Sequence, residues 1–106
     1  MIPSAPPNVD LVHNLFQWPG GGDKVFIIGS FSNWKERLPM KKDGDVHSVI
    51  HTLPRGTYEF KFIVDEVWRI DPNLPVVRDA NGNLNNFLEV LHIKAPSEKN
   101  NILLSP

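Results

Sequence analysis

Tyr58, Phe60, Phe62 and Val64 alternate with Glu59, Lys61 and Ile63, and this period of two puts the aromatic set on one face of a β-strand and the others on the opposite face. The aromatic face is expected to be core. Lys24 to Ser30 is apolar on both alternations, as a strand with neighbours on both sides would be, and Val46 to Leu53 reads as a further strand. Turn residues separate such runs at Pro19–Gly22, Asp43-Gly44-Asp45, Pro54-Arg55-Gly56, Asp71-Pro72-Asn73 and Asn81-Gly82-Asn83. No stretch sustains a helical period. About seven short strands at this spacing predict an all-β, immunoglobulin-like antiparallel β-sandwich.

Both ends break the pattern. Pro3, Pro6 and Pro7 mark 1–9 as a flexible N-terminal segment, and Pro96 and Pro106 among polar residues mark 95–106 as linker or tail. The expected module is 10–94. A chain of 106 residues suits one domain with a modest core, and Trp18, alternating with Phe16, is expected to belong to it.

Composition removes several function classes. The 11 basic and 12 acidic side chains give a net charge of -1 and are scattered, which argues against nucleic acid or an anionic membrane as partner. The absence of cysteine removes disulfides and thiolate metal sites, and permits a reducing compartment such as the cytoplasm. No apolar run approaches the roughly 18 residues of a membrane span. Of the histidines, His47 and His51 share a strand face at a spacing of about 13 Å, too far for one metal ion. They read, with His13 and His92, as ordinary surface or edge residues, and neither a metal nor a cofactor is expected.

Three segments carry candidate chemistry: Gly29-Ser30-Phe31-Ser32-Asn33-Trp34, Lys61-Phe62-Ile63-Val64-Asp65-Glu66-Val67-Trp68, and Asn81-Gly82-Asn83-Leu84-Asn85-Asn86-Phe87. If Asp65-Glu66 is a two-residue turn, Ile63 lies opposite Trp68, and Lys61 is the diagonal neighbour of Trp68 on the outer face. Aromatic plates, a cationic donor and side-chain amides together suit a sugar polymer, whose rings offer apolar faces and hydroxyl edges. From pattern alone, Trp34 is either a packing plug or a ligand plate, Lys61 is a solvated lysine or a donor, and the asparagines serve turn geometry or a ligand.

The order and spacing of these blocks, opened by Phe16-Gln17-Trp18-Pro19-Gly20-Gly21-Gly22, resemble the family 48 carbohydrate-binding modules, and within them the glycogen-binding module of AMP-activated protein kinase beta subunits, over roughly Leu15 to Val90. The resemblance implies a non-catalytic module for α-1,4-linked glucan (glycogen, maltodextrin, cyclodextrin). Trp34 and Trp68 would stack on glucose rings, while Lys61, Asn83 and Asn85 hydrogen-bond the hydroxyls. It further implies association with kinase catalytic and gamma subunits through regions outside this chain. Two positions depart from the family pattern: Glu66 stands where a glycine is usual, and Asn81 where an apolar residue is frequent. Other hosts suit the same features, namely a glucan phosphatase or branching enzyme targeted by the module, or a protein-interaction sandwich without sugar affinity. Asp65, Glu66 and Asp71 lie near the candidate residues, but exposed turns rarely provide the enclosed carboxyl pair that glycoside hydrolysis needs.

Overall fold

The computed structural model of the chain describes residues 11–91, so the expected end segments 1–9 and 95–106, and His92, lie outside the described residues. Within them the chain forms nine strands: β1 (Leu11–Trp18), β2 (Val25–Gly29), β3 (Leu38–Pro39), β4 (Lys41–Asp43), β5 (Val46–Pro54), β6 (Gly56–Val64), β7 (Val67–Arg69), β8 (Val76–Arg78) and β9 (Leu84–Val90). A single 3-10 turn, Ser30–Ser32, follows β2. Two antiparallel sheets result, one ordered β1-β5-β4 and the other β3-β2-β6-β9-β8, with β7 paired to the end of β6. The all-β antiparallel sandwich expected from the alternation is the one that forms. The count exceeds about seven because β3, β4 and β7 are edge pieces of two or three residues, too short for a periodic signal.

The two sheets close on one core. Phe16 and Trp18 from β1, Leu53 from β5, Val25 and Ile27 from β2, and Phe60, Phe62 and Val64 from β6 are buried together. The Phe60 and Phe62 rings meet edge to face at 5.7 Å, and Trp18 lies 4.9 Å from Phe62 while its indole N–H donates to the Gly21 carbonyl at 3.1 Å. Trp18 is therefore structural, with its polar edge satisfied. Burial of such rings, at roughly 25 cal/mol per Å² of apolar surface, supplies the driving force that disulfides cannot.

The outer face of the larger sheet is not uniformly wet. Ile63 and Ile28 are buried there, at 0% and 4% exposure, and Ile63 pairs with Phe26 on one side and Trp68 on the other. This apolar strip is the floor on which the exposed aromatic of β7 stands.

His47 departs from the surface reading. It is 1% exposed, facing inward opposite Trp18; its Nε2 lies 3.4 Å from the Asp23 carbonyl, and its Nδ1 has no partner among the described residues. The alternation of β5 explains this, since His47 shares a face with the buried Leu53. His51 packs against the Phe31 ring at 5.1 Å, and His13 Nδ1 lies 2.6 Å from Thr52 Oγ1.

Asn86, buried at 0% exposure, ties the segment before β8 to β9. Its amide oxygen accepts from the Asp71 N–H at 2.8 Å, and its Nδ2 donates to the carbonyls of Asp71 at 2.8 Å and Pro75 at 3.2 Å. Buried amides satisfied in this way hold irregular backbone that no ladder supports.

Candidate functional site

The β6–β7 hairpin sets the position of Trp68. Asp65 and Glu66 both take left-handed backbone, φ 49 and 69, and form a two-residue turn between Val64 and Val67. Consecutive left-handed residues match the twist of the flanking strands, so the ladder continues without a bulge. Ile63 consequently pairs with Trp68. Trp68 is 49% exposed, which leaves ring surface open to a ligand.

Asp65 also anchors this hairpin to the segment entering β2. Its carboxylate accepts the Asp23 N–H at 3.1 Å from each oxygen and the Lys24 N–H at 2.9 Å, while its own N–H donates to the Lys24 carbonyl at 2.8 Å. The Lys24 and then the Asp23 amide stabilise the charged form and hold the Asp65 carboxyl below its ordinary 3.8.

Trp34 reaches the same face by a different device. After β2 the 3-10 turn is followed by two left-handed residues, Asn33 at φ 55 and Trp34 at φ 61, and the Trp34 N–H returns to the Gly29 carbonyl at 2.9 Å. Left-handed backbone at a bulky residue costs of order 1–3 kcal/mol and persists only where surrounding bonds fix it. Here Ser30 Oγ accepts the Glu59 N–H at 3.0 Å and Ser32 Oγ accepts the Glu36 N–H at 3.2 Å. Gly29 is needed for space, since a Cβ would sit 2.6 Å from the Glu59 carbonyl oxygen. Trp34 is left half-buried.

The third element is the connection between β8 and β9, organised by Asp79. Its Oδ1 accepts the N–H groups of Asn81 and Asn83, each at 2.9 Å, and its Oδ2 lies 3.4 Å from Asn85 Nδ2. The backbone closes the turn, with the Gly82 N–H on the Asp79 carbonyl at 3.0 Å and the Asp79 N–H on the Asn83 carbonyl at 2.8 Å. Gly82 takes φ 85, the left-handed step such a turn requires. The Asn83 amide, aided by Asn81 and the Asn85 and Asn83 side chains, holds the Asp79 carboxyl below 3.8 against its partial desolvation.

These three elements meet around one depression of about 390 Å³, lined by Trp34, Lys61, Trp68, Asn83 and Asn85 together with Asp79 and Asn81. All five sequence candidates thus fall on one surface. Their availability differs. Asn83 is exposed, whereas Asn85 is 4% exposed and donates through Nδ2 to Glu59 Oε1 at 2.9 Å as well as to Asp79. With its N–H groups turned to carboxylates, Asn85 has its amide oxygen left to offer a hydroxyl. The depression can receive a ligand with apolar faces and hydroxyl edges, between two indole rings, one ammonium and several amides.

Asp79 and Glu59 escaped the sequence reading. The signal for Asp79 was available, because an aspartate two and four residues ahead of Asn81 and Asn83 is an Asx-turn pattern. Of the carboxylates singled out for hydrolysis, Asp65 faces the β2 entry, Glu66 pairs with Arg37 at 3.2 Å, and Asp71 bonds the Asn73 N–H at 2.9 Å. They do not share the depression. A larger void of about 470 Å³ opens between β1 and β9, lined by apolar residues such as Leu15, Phe62 and Phe87. It contains none of the candidates and offers little for a hydroxylated ligand.

Residues 12–96 match the family described as the glycogen recognition site of AMP-activated protein kinase. The 5'-AMP-activated protein kinase subunit beta of Schizosaccharomyces pombe is 43% identical over 79 residues, which cover 74% of this chain and 26% of that protein. Subunit beta-1 of Sus scrofa is 41% identical over 76 residues, 72% of this chain and 62% of its own length. The SNF1-related protein kinase regulatory subunit beta-2 of Arabidopsis thaliana is 38% identical over 79 residues, covering 74% of this chain and 27% of that protein. The fold and the family match together define a glycogen-recognition β-sandwich. The chain belongs to the family of AMP-activated protein kinase glycogen recognition sites. It spans about a quarter of the length of the yeast and plant relatives and under two thirds of the pig protein.

Proposed function

We propose that this chain is a non-catalytic α-1,4-glucan-binding module, in which Trp34 and Trp68 stack on glucose rings while Lys61, Asn83 and Asn85 hydrogen-bond hydroxyls. The observation that carries the reading is the convergence of these five residues, from three separate elements, on one open depression. Trp34 comes from a loop and Trp68 from a hairpin, and plates on different elements suit α-1,4 chains, which curve so that successive rings change orientation.

The state of the carboxylates supports the non-catalytic reading. Glu59 and Asp79 both accept from Asn85, and amide donors hold Asp79 in its charged form, so it is a poor proton donor to a glycosidic oxygen. The open, wet surface favours dissociation constants on the order of micromolar to millimolar, which a repetitive polymer raises in effect.

The family membership supports a place in an AMP-activated protein kinase beta subunit, in the cytoplasm, with catalytic and gamma subunits bound through regions outside this chain and glycogen as the polymer engaged. Among the described residues no helix is long and apolar enough to cross a membrane.

Co-sedimentation with glycogen tests the reading. The domain is expected in the polymer pellet and displaceable by maltoheptaose, with Trp34→Ala left in the supernatant and no reducing sugar released. Equal sedimentation of both forms would contradict the site, and retention of neither would favour a protein-interaction sandwich.

A further inference from the structure

We infer that Asp79 is a positioning residue for glucan recognition, its ionised carboxylate holding the Asn81–Asn83 turn and the Asn85 amide in the geometry that faces the ligand. The inference rests on the proposed glucan site and adds a negative charge to a sugar-contacting set whose only charge is the Lys61 ammonium.

Three donors from one wall of the depression converge on this side chain: the backbone N–H groups of Asn81 and Asn83 on Oδ1 and the Asn85 Nδ2 on Oδ2. Asn81, Asn83 and Asn85 all line the depression, so one carboxylate fixes that wall. An acceptor-only group is required. A neutral acid must place a proton on one oxygen, and an amide must turn an N–H₂ toward one of these donors. Asn85 is oriented from both sides, since Glu59 Oε1 takes its Nδ2 at 2.9 Å from the neighbouring strand. Loss of Asp79 leaves Glu59 as the only acidic partner recorded for that nitrogen among the described residues, and the amide oxygen is free to rotate away from the hydroxyls it would meet.

The charged groups around Asp79 come from two elements, β6 and β8. Glu59 on β6 shares the Asn85 nitrogen, Lys61 on β6 lines the same depression, and Arg78 on β8 donates through Nη1 to the Gly82 carbonyl at 2.8 Å. Arg78 thereby bonds the turn at the residue between the two amides held by Asp79. Protonation of Asp79 would leave that cationic contact in place and remove the anionic one.

Two measurements test the role. In the ligand-free domain, the amide-proton resonances of Asn81 and Asn83 are expected to titrate together as pH falls below about 4, and to lose that titration in Asp79→Asn. The amides of Asp23 and Lys24, which bond Asp65, report the other low-titrating carboxylate separately. By calorimetry near neutral pH with maltoheptaose, Asp79→Asn is expected to bind roughly tenfold more weakly, the scale of one charge-assisted hydrogen bond. Flat Asn81 and Asn83 titrations in the wild type would overturn the inference, and this arm does not depend on the variant folding. Wild-type binding with unchanged Asp79→Asn affinity would overturn the positioning role alone. A wild type that binds no glucan would overturn the site reading and the role in recognition with it.

Discussion

Arg37 and Glu66 form an ion pair: the guanidinium Nη1 donates to both carboxylate oxygens of Glu66 at 3.2 Å. Arg37 lies three residues beyond Trp34, and Glu66 two residues before Trp68, so the pair fastens the loop carrying one indole to the hairpin carrying the other. The same guanidinium sits 5.6 Å from the centre of the Phe26 ring, above the apolar strip that includes Ile63. Glu66, which stands where the family usually has glycine, is thus one half of a cross-link.

The cost and gain at Glu66 can be weighed. A non-glycine residue in left-handed backbone costs roughly 1–2 kcal/mol. An ion pair as exposed as this one, with side chains 40% and 72% accessible, returns about 0.2–1 kcal/mol. Glu66→Gly is therefore expected to leave stability unchanged or to raise it by up to about 2 kcal/mol. Urea unfolding reads this directly. A loss exceeding about 1 kcal/mol would show that the pair outweighs the strain.

The three tryptophans separate into two roles. Trp68→Ala and Trp34→Ala should each weaken glucan binding by roughly 1–3 kcal/mol, by analogy with aromatic stacking on nucleobases. Trp18→Ala should instead destabilise by roughly 3–5 kcal/mol, as truncation of a large core ring does. Thermal melts beside maltoheptaose titrations distinguish the two. Collapse of the fold in Trp68→Ala, which is half exposed, would contradict its assignment to the ligand surface.

Asp65 should make stability depend on pH on the acid side. Its folded value lies below the ordinary 3.8 because the Lys24 and Asp23 amides favour the charged form. A depressed carboxyl contributes stability that is fully present above the unfolded value and is lost as pH falls through the folded one. Urea midpoints should accordingly be level from neutrality to about pH 5 and fall below about 4, with a shallower fall in Asp65→Asn. Identical acid limbs for the two proteins would remove Asp65 as a contributor.

Much of this arrangement was legible in the chain because strand periodicity is a local property. The alternation from Tyr58 to Val64 assigned Phe60 and Phe62 to the core, and the two-residue turn then carried the Ile63–Trp68 pairing with it. What local pattern does not carry is the company a residue keeps on its face. His47 reads as an edge histidine until β1 places Trp18 opposite it, and Ile63 reads as outward until Phe26 and Trp68 flank it. Asp79 is different: its Asx turn onto Asn81 and Asn83 is local and legible, but that this turn faces the depression depends on β8 pairing with β9. The left-handed backbone at Trp34 was hidden for another reason: Asn33 suits a turn, but a tryptophan after it does not announce a second left-handed residue, which the serine hydroxyls and Gly29 impose.

The central claim is that the depression reads the curvature of an α-1,4-glucan. The most direct test is calorimetry of the one domain against maltoheptaose and cellohexaose, which share their monomer and differ in linkage. A curved chain presents successive rings at changing angles to Trp34 and Trp68, whereas a flat β-1,4 chain suits coplanar plates. Binding of maltoheptaose, abolished for cellohexaose and strengthened with α-1,4 chain length until both indoles are engaged, is the predicted result. Equal affinity for the two linkages would contradict the account and leave an unspecific aromatic patch in its place.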